Sequence, residues 1–494
     1  MTSIANNKKD KHQGTRIKMS VGDRVFDVVN VIVLLALCFI MLYPMWYVLC
    51  ASLTTNTYLV AHPGLLLSPT ASSPAPIRWL YPPVPAEVLH QGRHGRRCEG
   101  LSIAREKGET KMSFDIVKHF PDKAWLDNMA AKLDDKMAYA VGKAREVDYM
   151  PYSTENGQWK KTFIGWWTNG FWPATMWQMY RATGKELYRE EALRAEKMLD
   201  EALRNFKDLS HDVGFMWLIH SGVRYQLEKN QDSYDRTLFA ANTLAGRFNP
   251  TGFIRAWNGS STEGWAIVDC MMNLPILYWA SKETGDPRYK LIAMIHADTT
   301  MRAFVRPDGS CNHIVCFDPT TGEFLDNPGG QGYESGSSWS RGQSWALYGF
   351  TLSYLHTGKQ EYLDTAKRIA NYFISQITDD YIPRCDFRQP AEPVMKDNVA
   401  GNVAACGLLE LCQVVPELEA KFYYDAAVRI LMAQEKDSAD WSHDDPAIFQ
   451  KCTAAYHDVP SRHMTMNYGD YYFVEAIGKL RGEKLLFWYP NREE

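Results

Sequence analysis

The hydrophobic pattern along this 494-residue chain changes character partway through. Residues 28–77 carry no Asp, Glu, Lys or Arg, and 31–53 is predominantly apolar. A stretch of that length is enough to cross a bilayer as a helix, so it predicts one transmembrane helix. Lys8, Lys9, Lys11, Arg16, Lys18 and Arg24 precede it, which places the N-terminus in the cytoplasm. The run is long for a signal peptide, and no A-x-A site follows it. Residues 68–111 then pass through S-P-T-A-S-S-P-A-P, P-P-V-P and H-Q-G-R-H-G-R-R-C-E-G with no sustained period, the pattern of an irregular linker.

Beyond residue 112 the chain repeats one local sentence. It reads Y-R-A-T-G-K-E-L-Y at 180–188, W-A-S-K-E-T-G-D-P-R-Y at 279–289 and Y-L-H-T-G-K-Q-E-Y at 354–362. Each time an apolar-periodic helix reaches Thr-Gly, turns, and a second helix begins. Gly184, Gly285 and Gly358 suit a left-handed helix end, and Pro287 suits a helix start. Second helices over 190–206 and 364–374 place apolar residues at i, i+3, i+4 with charges opposite. Such hairpins bury their faces by stacking on one another, which predicts an all-α barrel of paired helices. The copies are unevenly spaced, so further hairpins must lack the Thr-Gly signature.

Composition narrows the function classes. Hydrophobic content of 46% and charged content of 23% are those of a globular chain, and a formal charge of −4 leaves no basic footprint for nucleic acid. The ten cysteines are scattered with no C-x-x-C pair, which argues for reduced structural thiols and against a cysteine metal site. Aromatic content is high at 13%, with 16 Trp. Most of these tryptophans suit a large core, and a few suit stacking on sugar rings.

In a ring of hairpins the loops at one end form the cleft, so non-repeating polar and aromatic segments are the candidates for chemistry. Four stand out: W-W-T-N-G-F-W at 166–172, S-H-D-V-G-F-M-W at 210–217, R-A-W-N at 255–258 leading into E-G-W-A-I-V-D-C-M-M-N at 263–273, and S-S-W-S-R-G-Q-S-W at 337–345. Asp269 sits within an apolar run, where a carboxyl retains its proton towards neutrality and can donate it. The competing reading is a capping or salt-bridged structural Asp. Asp212, in H-D-V-G-F, is either a second working carboxylate or the N-cap of a helix beginning near Val213. Two carboxyls from separate loops are what glycosidic chemistry requires.

The ordered set W-T-N-G-F-W, H-D-V-G-F, D-C-M-M-N-L-P, R-P-D-G-S, S-R-G-Q-S-W-A and Y-G-D-Y-Y-F resembles glycoside hydrolase family 88, the unsaturated glucuronyl hydrolases, over residues 112–480. The resemblance implies an (α/α)6 barrel acting without cofactor or metal on oligosaccharides left by polysaccharide lyases. It implies hydration of the 4,5-unsaturated uronate at the non-reducing end, after which the glycosidic bond falls apart through a hemiketal. On this carry-over Asp269 protonates C4 and as carboxylate helps activate water at C5, while Asp212 positions the sugar and supports the proton traffic. The sugar-contacting positions become His211, Trp257, His313, Gln331, Arg341 and Trp345, with Trp167 from the first Trp cluster. Arg341 is expected to pair with the uronate carboxylate and the tryptophans to stack.

One stretch departs from the family pattern. Members that accept sulfated fragments carry a Ser-rich stretch with a Lys ahead of Y-G-D-Y, where this chain has R-H-M-T-M-N-Y-G-D at 462–470. Thr465 retains a hydroxyl but Asn467 has no charge, which predicts a preference for unsulfated disaccharides. The related unsaturated rhamnogalacturonyl hydrolases, acting on pectin fragments, are the alternative family.

The opening segment resembles something else. G-D-R-V-F-D-V-V-N at 22–30, L-Y-P-M-W-Y-V-L at 42–49 and A-S-L at 51–53 are similar to the first transmembrane helix of carbohydrate ABC transporter permeases. The expected division is a permease-like segment over 1–67, a linker over 68–111 and a catalytic barrel over 112–494. Lys107-Gly108-Glu109 can be encoded AAA-GGA-GAA, a ribosome-binding sequence just upstream of Met112. Met112 is therefore the expected natural start. On that division the barrel is cytoplasmic, and it is membrane-anchored only if 1–67 is expressed with it.

Overall fold

A computed structural model describes residues 114–377, 379–483 and 488, together with Asn30, Val31 and Leu34. The chain divides into two compact units, 1–104 and 105–494, and the architecture below is that of the second. The span expected over 31–53 and the linker over 68–111 lie almost wholly outside the described residues. Among the described residues, no helix is long and apolar enough to cross a membrane.

Thirteen α-helices are described in the second unit. In chain order they are α1 (Lys123–Arg145), α2 (Phe171–Thr183), α3 (Glu186–Arg204), α4 (Val213–Trp217), α5 (Val223–Glu228), α6 (Gln231–Ala245), α7 (Pro275–Thr284), α8 (Pro287–Ala303), α9 (Ser340–Thr357), α10 (Gln360–Ser375), α11 (Asn398–Leu411), α12 (Glu417–Ser438) and α13 (Asn467–Leu480). A π-helical turn, Leu218–Gly222, joins α4 to α5 so that the two run as one element. Six elements form an inner ring: α2, α4–α5, α7, α9, α11 and α13. All of α11 and α13 is buried, whereas α3 and α10 bury one face only, as their charge patterns require. The ring closes where α13 packs on α2, and α1 covers α13 from outside. The sixth helix pair therefore joins the first helix to the last.

The Thr-Gly sentence has a physical basis. Thr183, Thr284 and Thr357 each donate their hydroxyl to the carbonyl four residues back, at 2.7, 2.7 and 2.6 Å, and each accepts the N–H two residues on at 3.2 Å. Gly184, Gly285 and Gly358 follow with φ of 70°, 72° and 68°, where a Cβ would be strained. The recurring tyrosine does separate work by tying its outer helix to the preceding one. Tyr188 donates to Asp134, Tyr289 to Asn242 and Tyr362 to Asp298, at 2.8, 2.7 and 2.8 Å. Two further hairpins lack the signature, turning instead at Lys229 (φ 53°) and through Val414–Pro416.

Short strands accompany the helices of the barrel. The second unit also holds the ribbons β1 (Thr154–Glu155) with β2 (Gln158–Trp159) and β3 (Phe248–Asn249) with β4 (Phe253–Ile254). A three-stranded antiparallel sheet of β5 (Trp265–Ile267), β6 (Ile314–Phe317) and β7 (Phe324–Asp326) completes the inventory among the described residues. Strand β5 is too short for its period to be legible, yet it fixes where Asp269 lies. Ile267 pairs with Ile314, and Val268 N donates to His313 O at 3.0 Å. Asp269 and His313 thereby leave the same end of the sheet.

Candidate active site

Asp269 lies in a 3-10 turn, Val268–Met272, between β5 and the start of α7. It is 7% exposed, and its Oδ1 has no hydrogen-bond partner. Burial raises its pKa to about 8, the nearby Asp212 carboxylate adds to the rise, and the Arg341 charge opposes it. At neutral pH this carboxyl keeps its proton, as a proton donor must. Neither alternative expected for it, a helix cap or a salt-bridged structural residue, is found.

Asp212 stands at the N-cap position of α4 but makes no side-chain cap bond. Its carboxylate instead accepts from Ser210 Oγ at 3.1 Å and from Asn273 Nδ2 at 3.3 Å. Gly214, two residues on, is required by packing: a Cβ there would lie 2.8 Å from the Cα of Asn273. The loop carrying Asp212 and the turn carrying Asp269 are thus pressed together backbone to side chain.

Two histidines flank the pair. His211 Nδ1 lies 2.9 Å from Ala256 O, which can only accept, so Nδ1 carries the ring proton. Its Nε2 is then the basic nitrogen, 3.2 Å from Asp212 Oδ1 and misaligned for a hydrogen bond. Arg247, unmarked by any motif, donates Nη2 to the same Ala256 carbonyl at 2.9 Å and Nη1 to Asn258 Oδ1 at 2.7 Å. His313 Nδ1 lies 3.1 Å from the N–H of Gln331 and 3.2 Å from the carbonyl of Gly329, and burial pushes its pKa down to about 3. It is a neutral ring beside a neutral acid.

The remaining sequence candidates divide. Trp167 and Trp257 are partly exposed, the former 4.9 Å from the Tyr468 ring and the latter edge-on to Trp265 at 5.8 Å, so both offer a face for stacking. Gln331 is held by Nε2 on Ala454 O at 2.7 Å. Trp345 is wholly buried, packed on Phe215 at 5.2 Å and Tyr472 at 5.5 Å, and so supports the floor instead of presenting a stacking face.

Arg341, expected to pair with the uronate carboxylate, is anchored from within the protein. It is 1% exposed, its Nη1 binds Asp397 and Thr453 O, and its Nη2 binds Ala454 O at 2.8 Å. These bonds engage three of its five N–H donors and fix Arg341 as a positive charge beside Asp269. Thr465 and Asn467 are likewise committed. Thr465 Oγ1 accepts from Thr154 N at 2.6 Å and lies 2.9 Å from Thr154 Oγ1, and Asn467 Nδ2 donates to Pro151 O and Thr168 O. Burial leaves neither side chain open to a sulfate.

A further anchor went unmarked in the sequence. Asp386 is wholly buried and accepts from Tyr333 N, Ser337 Oγ and Ser338 N at 3.0, 2.6 and 3.1 Å. It holds the segment that follows Gln331 and leads into α9.

Residues 129–382 match the sequence profile of Glycosyl Hydrolase Family 88. The chain belongs to that family. It is 35% identical over 336 residues to an unsaturated glucuronyl hydrolase of Bacillus sp. (strain GL1), covering 66% of this chain and 89% of that one. An unsaturated chondroitin disaccharide hydrolase of Streptococcus pneumoniae is 30% identical over 335 residues, 65% of this chain and 83% of its own length. The crystal structure of the unsaturated glucuronyl hydrolase from Bacillus sp. GL1, responsible for the degradation of glycosaminoglycan, superposes with a TM-score of 0.69 at 32% identity. It covers 73% of this chain and 98% of that one. As a family 88 member the protein is a glycoside hydrolase with a helical α/α barrel. These matches do not show the resemblance to transporter permeases over the first residues.

Proposed function

We propose that this family 88 enzyme removes the 4,5-unsaturated uronic acid from the non-reducing end of lyase-generated glycosaminoglycan oligosaccharides, by hydrating its vinyl ether. The observation that carries the reading is Asp269 buried beside Asp212, where burial first and the neighbouring carboxylate second lift its pKa to about 8. Relatives with unsaturated glucuronyl and chondroitin disaccharide activity support the substrate class.

Asp269 gives its proton to C4, and the electron pair of the C4=C5 bond forms the new C–H bond. Positive charge develops at C5, shared with the ring oxygen. Water adds at C5 and yields its proton to the Asp269 carboxylate, so the acid is regenerated and the net change is one water added. The resulting hemiketal opens to a ketone at C5, which leaves a hemiacetal at C1 that expels the aglycone alcohol. Asp212 hydrogen-bonds sugar hydroxyls and carries the negative charge that keeps the Asp269 proton in place. Trp167 and Trp257 stack on the rings, and His211 and His313 give them polar edges.

The test is loss of the conjugated ultraviolet absorbance from three substrates. Unsaturated hyaluronan or unsulfated chondroitin disaccharide should be consumed, and the 6-sulfated chondroitin disaccharide more slowly. Preferred consumption of unsaturated rhamnogalacturonan disaccharide would assign the enzyme to pectin fragments instead.

A further inference from the structure

We infer that Trp265 is a specificity-determining residue, a second aromatic platform that stacks on the sugar two places beyond the unsaturated uronate and makes longer oligosaccharides better substrates than disaccharides. The inference rests on the proposed vinyl-ether chemistry and deepens it by naming the substrate length that the site favours.

The sheet of β5, β6 and β7 has two faces with different surroundings. Ala266, Val268, Val315 and Phe317 pack into the barrel core. Ile267, Ile314 and Cys316 alternate with them and, with Ala256, form a small apolar cluster apart from that core. Trp257 and Trp265 both pack on this cluster, and both remain partly exposed. The two indoles therefore share one base on one face of the sheet. That face runs towards the carboxyl pair, because Ile267 and Ile314 are paired where Asp269 and His313 leave the sheet.

Trp265 is held as a platform has to be. Its carbonyl accepts from Ala256 N at 2.8 Å, and its N–H reaches Thr262 O at 3.2 Å. Gly264 lies so close to β6 that a Cβ there would be 1.8 Å from the Phe317 carbonyl oxygen, so any side chain at 264 would push the strand away. The Ala256 carbonyl meets His211 Nδ1 at 2.9 Å, which ties the ledge to the loop of Asp212.

Four residues of chain separate Trp265 from Asp269, about 13 Å at most. With the double bond at Asp269, Trp257 takes the next ring and Trp265 the one after. The ring centroids of the two indoles lie 5.8 Å apart with their planes at 64°. That angle suits successive pyranoses, whose mean planes turn relative to one another about the glycosidic bond. The apolar face of each sugar matches an indole, so each stacked ring adds affinity.

The experiment uses the full chain and follows loss of the conjugated absorbance from unsaturated, unsulfated chondroitin disaccharide and tetrasaccharide. Wild type is compared with Trp265→Ala and Trp265→Phe. Wild-type kcat/KM should be about fivefold or more higher for the tetrasaccharide, chiefly through KM, as one extra stacked ring provides. Trp265→Ala should lose most of that advantage, and Trp265→Phe, which keeps a ring, should retain most of it. The readout is the ratio between the two substrates, because lost support for Trp257 or partial unfolding lowers both alike and leaves the ratio unmoved. A wild-type ratio of one, or a ratio that survives Trp265→Ala, would overturn the inference. Wild type that leaves the double bond of both sugars intact would defeat the proposed function, and calorimetric titration with the same two sugars would then decide the role of Trp265. Tighter binding of the tetrasaccharide that is lost in Trp265→Ala upholds it, and equal or absent binding overturns it.

Discussion

Asp269 Oδ1 and His313 Nε2 stand 3.8 Å apart, in range of an ion pair, yet both groups are uncharged at neutral pH. Burial lifts the acid to about 8 and pushes the imidazole down to about 3. A charged His313 would pull the proton off Asp269, so the neutral ring preserves the acid. His313→Lys should therefore lower activity far more than His313→Gln, which keeps a neutral polar edge. Comparing kcat/KM of the two variants at pH 7 checks this.

The same acid sets an upper limit on pH. Catalysis needs Asp269 protonated, so kcat should fall tenfold per pH unit as pH rises through about 8. A basic limb centred well below this, or none, would show that another group donates the proton.

Stability follows with the opposite benefit. The folded pKa of Asp269 is raised above its unfolded value near 3.8, so the native state binds the extra proton between those limits. Stability from this group is full below pH 4 and declines as pH rises towards 8. Asp269→Asn removes the decline. Its melting temperature should match wild type near pH 4 and exceed it by about 2 °C or more at pH 8.

Much of the fold could be read along the chain because its determinants are local. Thr and Gly at each turn bond within four residues, and the one-sided charge of α3 and α10 repeats every turn of helix. Asp269 was legible for a related reason, a lone carboxyl in an apolar run. The anchoring of Arg341 was not legible because its partners are remote: Asp397 is 56 residues away and the Thr453 carbonyl 112. Nothing near Ser340 in sequence announces them. Asp386, 49 residues from Ser337, was hidden in the same way. Asn273 carried a signal that went unused, an amide four residues after Asp269.

The Arg341–Asp397 pair makes a test of buried charge. Arg341→Met leaves Asp397 buried without its cation, which should cost about 3–5 kcal/mol in denaturant unfolding. Asp397→Asn retains a cap for Val399 N at the start of α11, so adding it to Arg341→Met should recover most of that loss. Equal losses in the single and double variants would mean that packing, not charge, dominates the site.

The hairpin turns separate backbone strain from contact. A Cβ at Gly184, Gly285 or Gly358 would meet nothing within 4 Å, so Ala there costs only the left-handed conformation, about 1 kcal/mol each. Lys229 adopts that conformation without being Gly, and Lys229→Gly should stabilise by up to about 1 kcal/mol. Thermal denaturation of the four variants measures both signs.

The central claim, that Asp269 protonates C4 of a vinyl ether, is tested most directly by running the reaction in deuterium oxide and inspecting the uronate product at early times. Wild type should lose the conjugated absorbance and place one deuterium on C4 as the aglycone appears, and Asp269→Asn should do neither. Release of aglycone with the double bond intact and C4 unlabelled would contradict the account.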